Sequence, residues 1–125
     1  MALVQVAQRV EDLDRATAFY TMLLGTPALA SFDPPGIAFF ALGDTRLMLD
    51  VNAPSALLYL GVNDVRERIA ALRETGVTVE SEPHVIFSHA DAALGPAGTD
   101  EWQAFIRDSE GNLVGLVSQL PSGKA

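Results

Sequence analysis

The chain has 125 residues, which suits one ordinary domain or two small halves packed as one, and 49% of them are hydrophobic, enough for a core. Its net charge of −8 argues against nucleic acid or an anionic membrane surface as partner, and 19% charged residues are too few for a disordered chain. There is no cysteine, which excludes disulfides, thiolate nucleophiles and cysteine-based zinc or iron–sulfur sites.

Residues 3–10, LVQVAQRV, alternate as a strand. Leu3, Gln5, Ala7 and Arg9 share one face; Val4, Val6, Gln8 and Val10 share the other. Asp12 is placed to cap a helix whose apolar stripe runs through Leu13, Ala16, Tyr20, Leu23 and Leu24 and stops at Gly25, with Pro27 beyond. Strands are predicted around 28–32, 36–42 and 45–51, with Gly43-Asp44 as the turn between the last two.

The pattern then restarts. Residues 56–62 form a strand. Asp64 caps a helix with Glu67 three residues on, the stripe is Val65, Ile69 and Leu72, and Gly76 ends it. Strands are predicted at 77–81, 84–89, 101–107 and 113–118, and the small, Gly/Pro-containing stretch 90–100 is a loop. Both halves open on Val-x-Asp and close on glycine, and a repeat of about 50 residues indicates a duplicated βαβββ unit. The expected fold is α+β: two tandem βαβββ modules, about 1–53 and 54–120 of one domain, joined into one curved eight-stranded mixed sheet around a cleft, with the helices outside.

No run is long enough to span a membrane, and the start MALVQVAQRVED lacks the basic, uniformly apolar form of a signal peptide, so a cytoplasmic protein is expected. Phosphate-loop and dinucleotide glycine motifs are missing. One residue is out of place. Gly115 interrupts the aliphatic strand LVGLV, where it weakens the strand unless room is needed there.

The segments VQVAQRVEDLDRATAFYTMLLG, GVNDVRERIAALRETGV and WQAFIRDSEGNLVGLV resemble the vicinal oxygen chelate superfamily, which includes glyoxalase I, methylmalonyl-CoA epimerase, extradiol dioxygenases and bleomycin-resistance proteins. The resemblance covers nearly the whole chain. It implies a divalent metal held from four strand positions, two per half, and a homodimer. Read residue by residue, those positions hold Gln5, Met48, Leu57 and Gly115. A thioether, an isobutyl group and a hydrogen atom are not ligands for such a cation, so no metal cofactor is expected. Gly115 then stands where the superfamily places a metal-binding glutamate.

The only histidines, His84 and His89, are five apart and would face opposite ways in a regular strand unless a bulge intervened. Either can be a hydrogen-bonded structural histidine. Alternatively they join Gln5, Asp50 or Glu101 in a rearranged metal site, or His84 acts as a catalytic base. Arg9 lies on the Gln5 face, and the Q-x-x-x-R pattern resembles glyoxalase-like members in which the arginine binds a substrate carboxylate. Arg46, on the Met48 face, has the same two readings, anion clamp or surface cation. If Gly43-Asp44 is a two-residue turn, Phe39 opposes Met48. A five-residue turn at 108–112 places Phe105 opposite Gly115, filling its vacated space, whereas a four-residue turn would place Ala104 there.

The expected function is binding of a small organic molecule in a largely apolar cleft, with a bleomycin-resistance protein as the nearest analogy. Gln5 and Arg9 would anchor a polar group. Phe39, Met48, Leu57, Tyr59, Trp102, Phe105 and the space above Gly115 would hold the apolar body. The alternatives are a glyoxalase- or epimerase-like lyase or isomerase, and a structural dimer with a vestigial cleft. Nucleic acid and membrane are not expected partners.

Overall fold

The computed structural model describes residues 1–123. The chain runs β1 (Gln5–Arg9), α1 (Leu13–Leu24), β2 (Ala30–Phe32), β3 (Ile37–Leu42), β4 (Thr45–Asp50), β5 (Leu58–Gly61), α2 (Val65–Glu74), β6 (Val79–Ser88), β7 (Thr99–Arg107) and β8 (Leu113–Pro121). This is the βαβββ unit twice, each with a four-stranded mixed sheet, β1-β4-β3-β2 and β5-β8-β7-β6. The expected eight-stranded sheet is thus two four-stranded sheets. Two compact units result. The first is Met1–Ala56 together with Asp108–Asn112, the turn joining β7 to β8; among the described residues the second is 57–107 with 113–123.

In the first unit α1 begins at Asp12, whose carboxylate accepts from the Arg15 N–H at 3.0 Å, and the Gly25 N–H returns to the Thr21 carbonyl at 3.0 Å. Ala16, Tyr20 and Leu23 are its buried stripe. They cover the sheet face that carries Gln8, Val10, Ala38, Phe40, Leu47 and Leu49, all buried. Tyr20 and Phe40 meet at 6.3 Å between ring centres. Burying side chains of this size contributes roughly 1.5–3 kcal/mol each, which is what holds so short a helix on its sheet.

The second unit repeats the scheme. Asp64 caps α2 by accepting from the Arg66 N–H at 2.9 Å. Val65, Ile69 and Leu72 cover Leu58, Ala104, Ile106, Val114 and Leu116. Where two strands were expected at 77–81 and 84–89 there is one, β6, with register shifts after Val79, Ser81 and Val85. Pro83 explains the mistaken break. Proline cannot donate to a ladder, but β6 is an edge strand and the shift between Ser81 and His84 accommodates it. Among the described residues no helix is long and apolar enough to cross a membrane.

Candidate functional site

Each helix covers one face of its sheet, so the chemistry available to a ligand lies on the other, open face. Residues paired across strands share a face, and the register gives the rows. In the first unit one row is Gln5, Arg46 and Ala41; the next is Ala7, Met48, Phe39 and Ala30; the third is Arg9, Asp50, Ile37 and Phe32. The two-residue turn at Gly43-Asp44 pairs Leu42 with Thr45 and puts Phe39 opposite Met48, as expected.

These side chains interlock. Arg46 Nε donates to Gln5 Oε1 at 3.0 Å, and Gln5 Nε2 donates to Met48 Sδ at 3.6 Å. The Arg46 guanidinium lies 5.7 Å from the centre of the Phe39 ring, within the range of a cation–π contact. Phe32 meets Phe39 edge-on at 6.4 Å. Arg9 is exposed, stands across from Asp50, and its side chain makes no ion pair or hydrogen bond among the described residues.

In the second unit one row is Tyr59, Gly115, Phe105 and Ser81, and the next is Gly61, Val117, Gln103 and His84. The turn at 108–112 has five residues, and Phe105 stands opposite Gly115. A Cβ at Gly115 would sit 2.9 Å from both Phe105 Cε1 and Tyr59 Cδ2. The glycine is there because two rings rest on it. They meet edge to face at 5.8 Å, while Tyr59 stays 54% exposed. Leu57 lies just before β5 and is also half exposed.

Trp102 does not join this group. It alternates with Phe105 along β7, so it lies on the face that carries Ala104 and Ile106, under α2. Its ring is 4.9 Å from the guanidinium of Arg66 on α2, which Asp64 holds. The pocket-wall role expected of it therefore fails for the open face. The cause is parity: the five-residue turn that brings Phe105 to Gly115 sends Trp102 the other way.

The histidines separate. His84 pairs with Gln103 on the open face, exposed, its Nδ1 2.9 Å from the Glu82 carbonyl. His89 is buried, with Nε2 2.8 Å from Glu101 Oε1, which also accepts from Gln119 Nε2 at 2.9 Å. Burial pushes the Glu101 carboxyl up, but the donors Gln119 and His89 outweigh it and leave the group below its usual range. The bulge between Val85 and Phe87 brings His89 to the face on which His84 pairs with Gln103. Gln119 was not anticipated; its alternation with Val117 and Gly115 was the available signal.

The family model described as "Glyoxalase/Bleomycin resistance protein/Dioxygenase superfamily" matches residues 2–116. The chain belongs to this superfamily. It is 34% identical to the cadmium-induced protein CadI of Mycobacterium tuberculosis over 126 residues, covering 88% of this chain and 80% of that protein. Among solved structures it is similar to TnmS3, an antibiotic binding protein from Streptomyces sp. CB03234, with 26% identity, TM-score 0.72 and 95% and 96% of the two chains covered. A lactoylglutathione lyase from Agrobacterium tumefaciens has the same fold, with 22% identity, TM-score 0.66 and 94% and 92% covered.

The positions that the superfamily gives to a metal do not fit one here. The Gln5 oxygen already accepts from a cation, Arg46, and its nitrogen faces the Met48 sulfur. Leu57 offers no donor atom, and the place of a side chain on Gly115 is taken by Tyr59 and Phe105. Among the described residues no three His, Asp or Glu side chains converge to hold a metal ion. His89 and Glu101 meet each other, and Asp50 stands across from Arg9.

Proposed function

We propose that this superfamily member binds a small organic molecule against its open sheet faces, as a homodimer and without a divalent metal or other cofactor. The observation that carries the reading is the replacement at Gly115. The strand position that would hold a metal-binding carboxylate is a glycine with two aromatic rings packed on it. That exchange removes charge and adds apolar surface, which suits holding a molecule rather than polarising one. On the first unit's face Gln5 and Arg9 supply polar anchors and Phe39 and Met48 apolar contact; on the second unit's face Leu57, Tyr59 and Phe105 supply apolar contact. The likeness to an antibiotic binding protein supports the same reading. Neither nucleic acid nor a membrane enters it.

The second reading, a lyase or isomerase, draws on the His89–Glu101 pair. A buried histidine beside a carboxylate is a common acid–base arrangement. The ring is enclosed, however, by Phe87 at 4.8 Å and by the backbone of Gly95, which suits a fixed structural part better.

The test is elemental analysis of untagged protein before and after exposure to zinc, manganese, nickel, iron and cadmium salts, with Gln5→Ala and His84→Ala as controls. No bound metal, with a thermal shift from organic ligands, is the expected result. Stoichiometric metal lost in either variant overturns the reading and directs attention to glyoxalase and epimerase assays. Size-exclusion chromatography with light scattering checks the dimer.

A further inference from the structure

Four arginines of this acidic chain are paired with carboxylates: Arg15 with Glu110, Arg66 with Asp64, Arg73 with Glu82 and Arg107 with Glu80. Arg46 is not. Among the described residues its guanidinium meets a neutral amide oxygen, Gln5 Oε1, through Nε at 3.0 Å, and an aromatic face, Phe39, at 5.7 Å. The Gln5 amide is itself oriented by its nitrogen, which points at Met48 Sδ. These contacts hold one edge and one face of the guanidinium. The outer fork of two Nη nitrogens has no acceptor among the described residues, and Arg46 is exposed.

We propose that Arg46 is an oxyanion-binding residue, the cation this chain carries in place of a metal, and that the ligand presents a carboxylate to it. The inference rests on the binding reading above and names the recognised end of the ligand. A guanidinium fork matches the two oxygens of a carboxylate in one plane, and a fork already braced loses little freedom on binding. Gln5 then has a definite task. Its oxygen faces a cation, as a metal-ligating amide would, but the cation is Arg46. Beyond the fork, Met48, Phe39 and Phe32 form an apolar surface on the neighbouring rows for the ligand's body.

The net charge of −8 is not concentrated on Arg46 through an ion pair. Asp44 stands in the exposed turn two residues before it, and Asp50 lies four residues along β4, about 13 Å at strand rise and beyond the Debye length of about 8 Å at physiological salt; neither pairs with Arg46 among the described residues. Asp50 also stands directly across from Arg9.

The test titrates the full chain, without added metal, with three probes of one shape: naphthoate, naphthamide and naphthylmethylammonium. Calorimetry gives the affinities, and the Arg46 side-chain N–H signals are followed by NMR. Naphthoate is expected to bind at least about tenfold tighter than the amide and to shift those signals. Arg46→Gln should erase the preference, Arg46→Lys should restore only part of it, and Gln5→Ala should weaken it a few-fold. Circular dichroism checks that each variant is folded. Equal binding of all three probes, unchanged in Arg46→Gln, overturns the carboxylate clamp while leaving the apolar binding reading intact. No binding of any probe overturns both.

Discussion

Tyr20 and Asp108 stand 88 residues apart in the chain, yet the Tyr20 hydroxyl donates to Asp108 Oδ2 at 2.7 Å inside the first unit. The same oxygen accepts from Asn112 Nδ2, while Asp108 Oδ1 accepts from the N–H groups of Glu110 and Asn112. Gln8 Nε2 donates to the Tyr20 oxygen at 3.3 Å. The turn residues Asp108 to Asn112 are thus built around a carboxylate that a helix tyrosine completes. Removing the hydroxyl in Tyr20→Phe leaves buried polar groups short of a partner and should cost roughly 1–3 kcal/mol in urea unfolding. Burial, then the Asp108 charge, pushes the phenol well above its ordinary value of 10.0. Because the folded value is the higher one, this stabilisation is complete below pH 10 and is lost as pH rises above it. Wild-type stability should fall more steeply above pH 10 than that of Tyr20→Phe.

Glu110 gives the opposite pH dependence. Its side chain is 1% exposed; it accepts from Arg15 Nε at 2.8 Å and Nη2 at 3.0 Å and from the N–H groups of Glu11 and Asp12 at the start of α1. Arg15, opposed by burial and helped by these N–H groups and Ser109, pulls its carboxyl from 4.5 down to about 2. The folded value is depressed, so the stabilisation is complete above about pH 4.5 and fades as pH falls toward 2. With Arg15 half exposed and screened, Glu110→Gln should cost roughly 2 kcal/mol at neutral pH. Its unfolding free energy should also change less between those two pH values than that of the wild type.

At Gly115 a methyl group has nowhere to go. Alanine suits a strand better than glycine, by roughly 0.5–1 kcal/mol, but contacts of 2.9 Å with Phe105 and Tyr59 force a ring aside. Tyr59, being half exposed, is the ring that can move. Gly115→Ala should therefore destabilise by about 1 kcal/mol alone and cost less beside Tyr59→Ala, where only the Phe105 contact remains to be relieved. A double-mutant cycle by chemical denaturation measures this. Simple additivity would show that the rings do not hold the glycine in place.

Gly95 has a similar neighbour that cannot move. Its Cβ would lie 2.8 Å from His89 Cε1, and that ring is fixed by Glu101 and faced by Phe87. Gly95→Ala should cost about 1–3 kcal/mol and speed proteolytic cleavage within residues 90–98. His89→Ala, made together with it, should remove most of the additional cost of Gly95→Ala, though not the cost of losing the histidine.

The sequence by itself determined the elements and the family. Tyr20 with Ala16 and Leu23, and Ile69 with Val65 and Leu72, repeat at helical spacing because one face of a short helix must be buried. The two-residue turn at 43–44 pointed to the Phe39–Met48 pair, whereas the turn at 108–112 left Phe105 and Ala104 open opposite Gly115 until the register decided for Phe105. The resemblance implied metal positions at Gln5, Met48, Leu57 and Gly115, and residue type alone tells that the last three offer no oxygen or nitrogen ligand. Pro83 misled, because a proline reads as a break unless it is known to sit on an edge strand.

Only the tertiary structure decided what each side chain does on its face. That Trp102 turns under α2 follows from the parity of a register fixed elsewhere. The meeting of His89 with Glu101 and Gln119 needs a bulge in one strand and pairing with another. Arg46 reads in sequence equally as a surface cation or an anion clamp. Its orientation by Gln5 and Phe39 comes from two different strands, and the register of β1, β3 and β4 is what brings them together. Residue type fixes which donors a chain can offer. Long-range strand pairing fixes which of them meet, since contacts across a sheet join residues that sequence proximity does not relate.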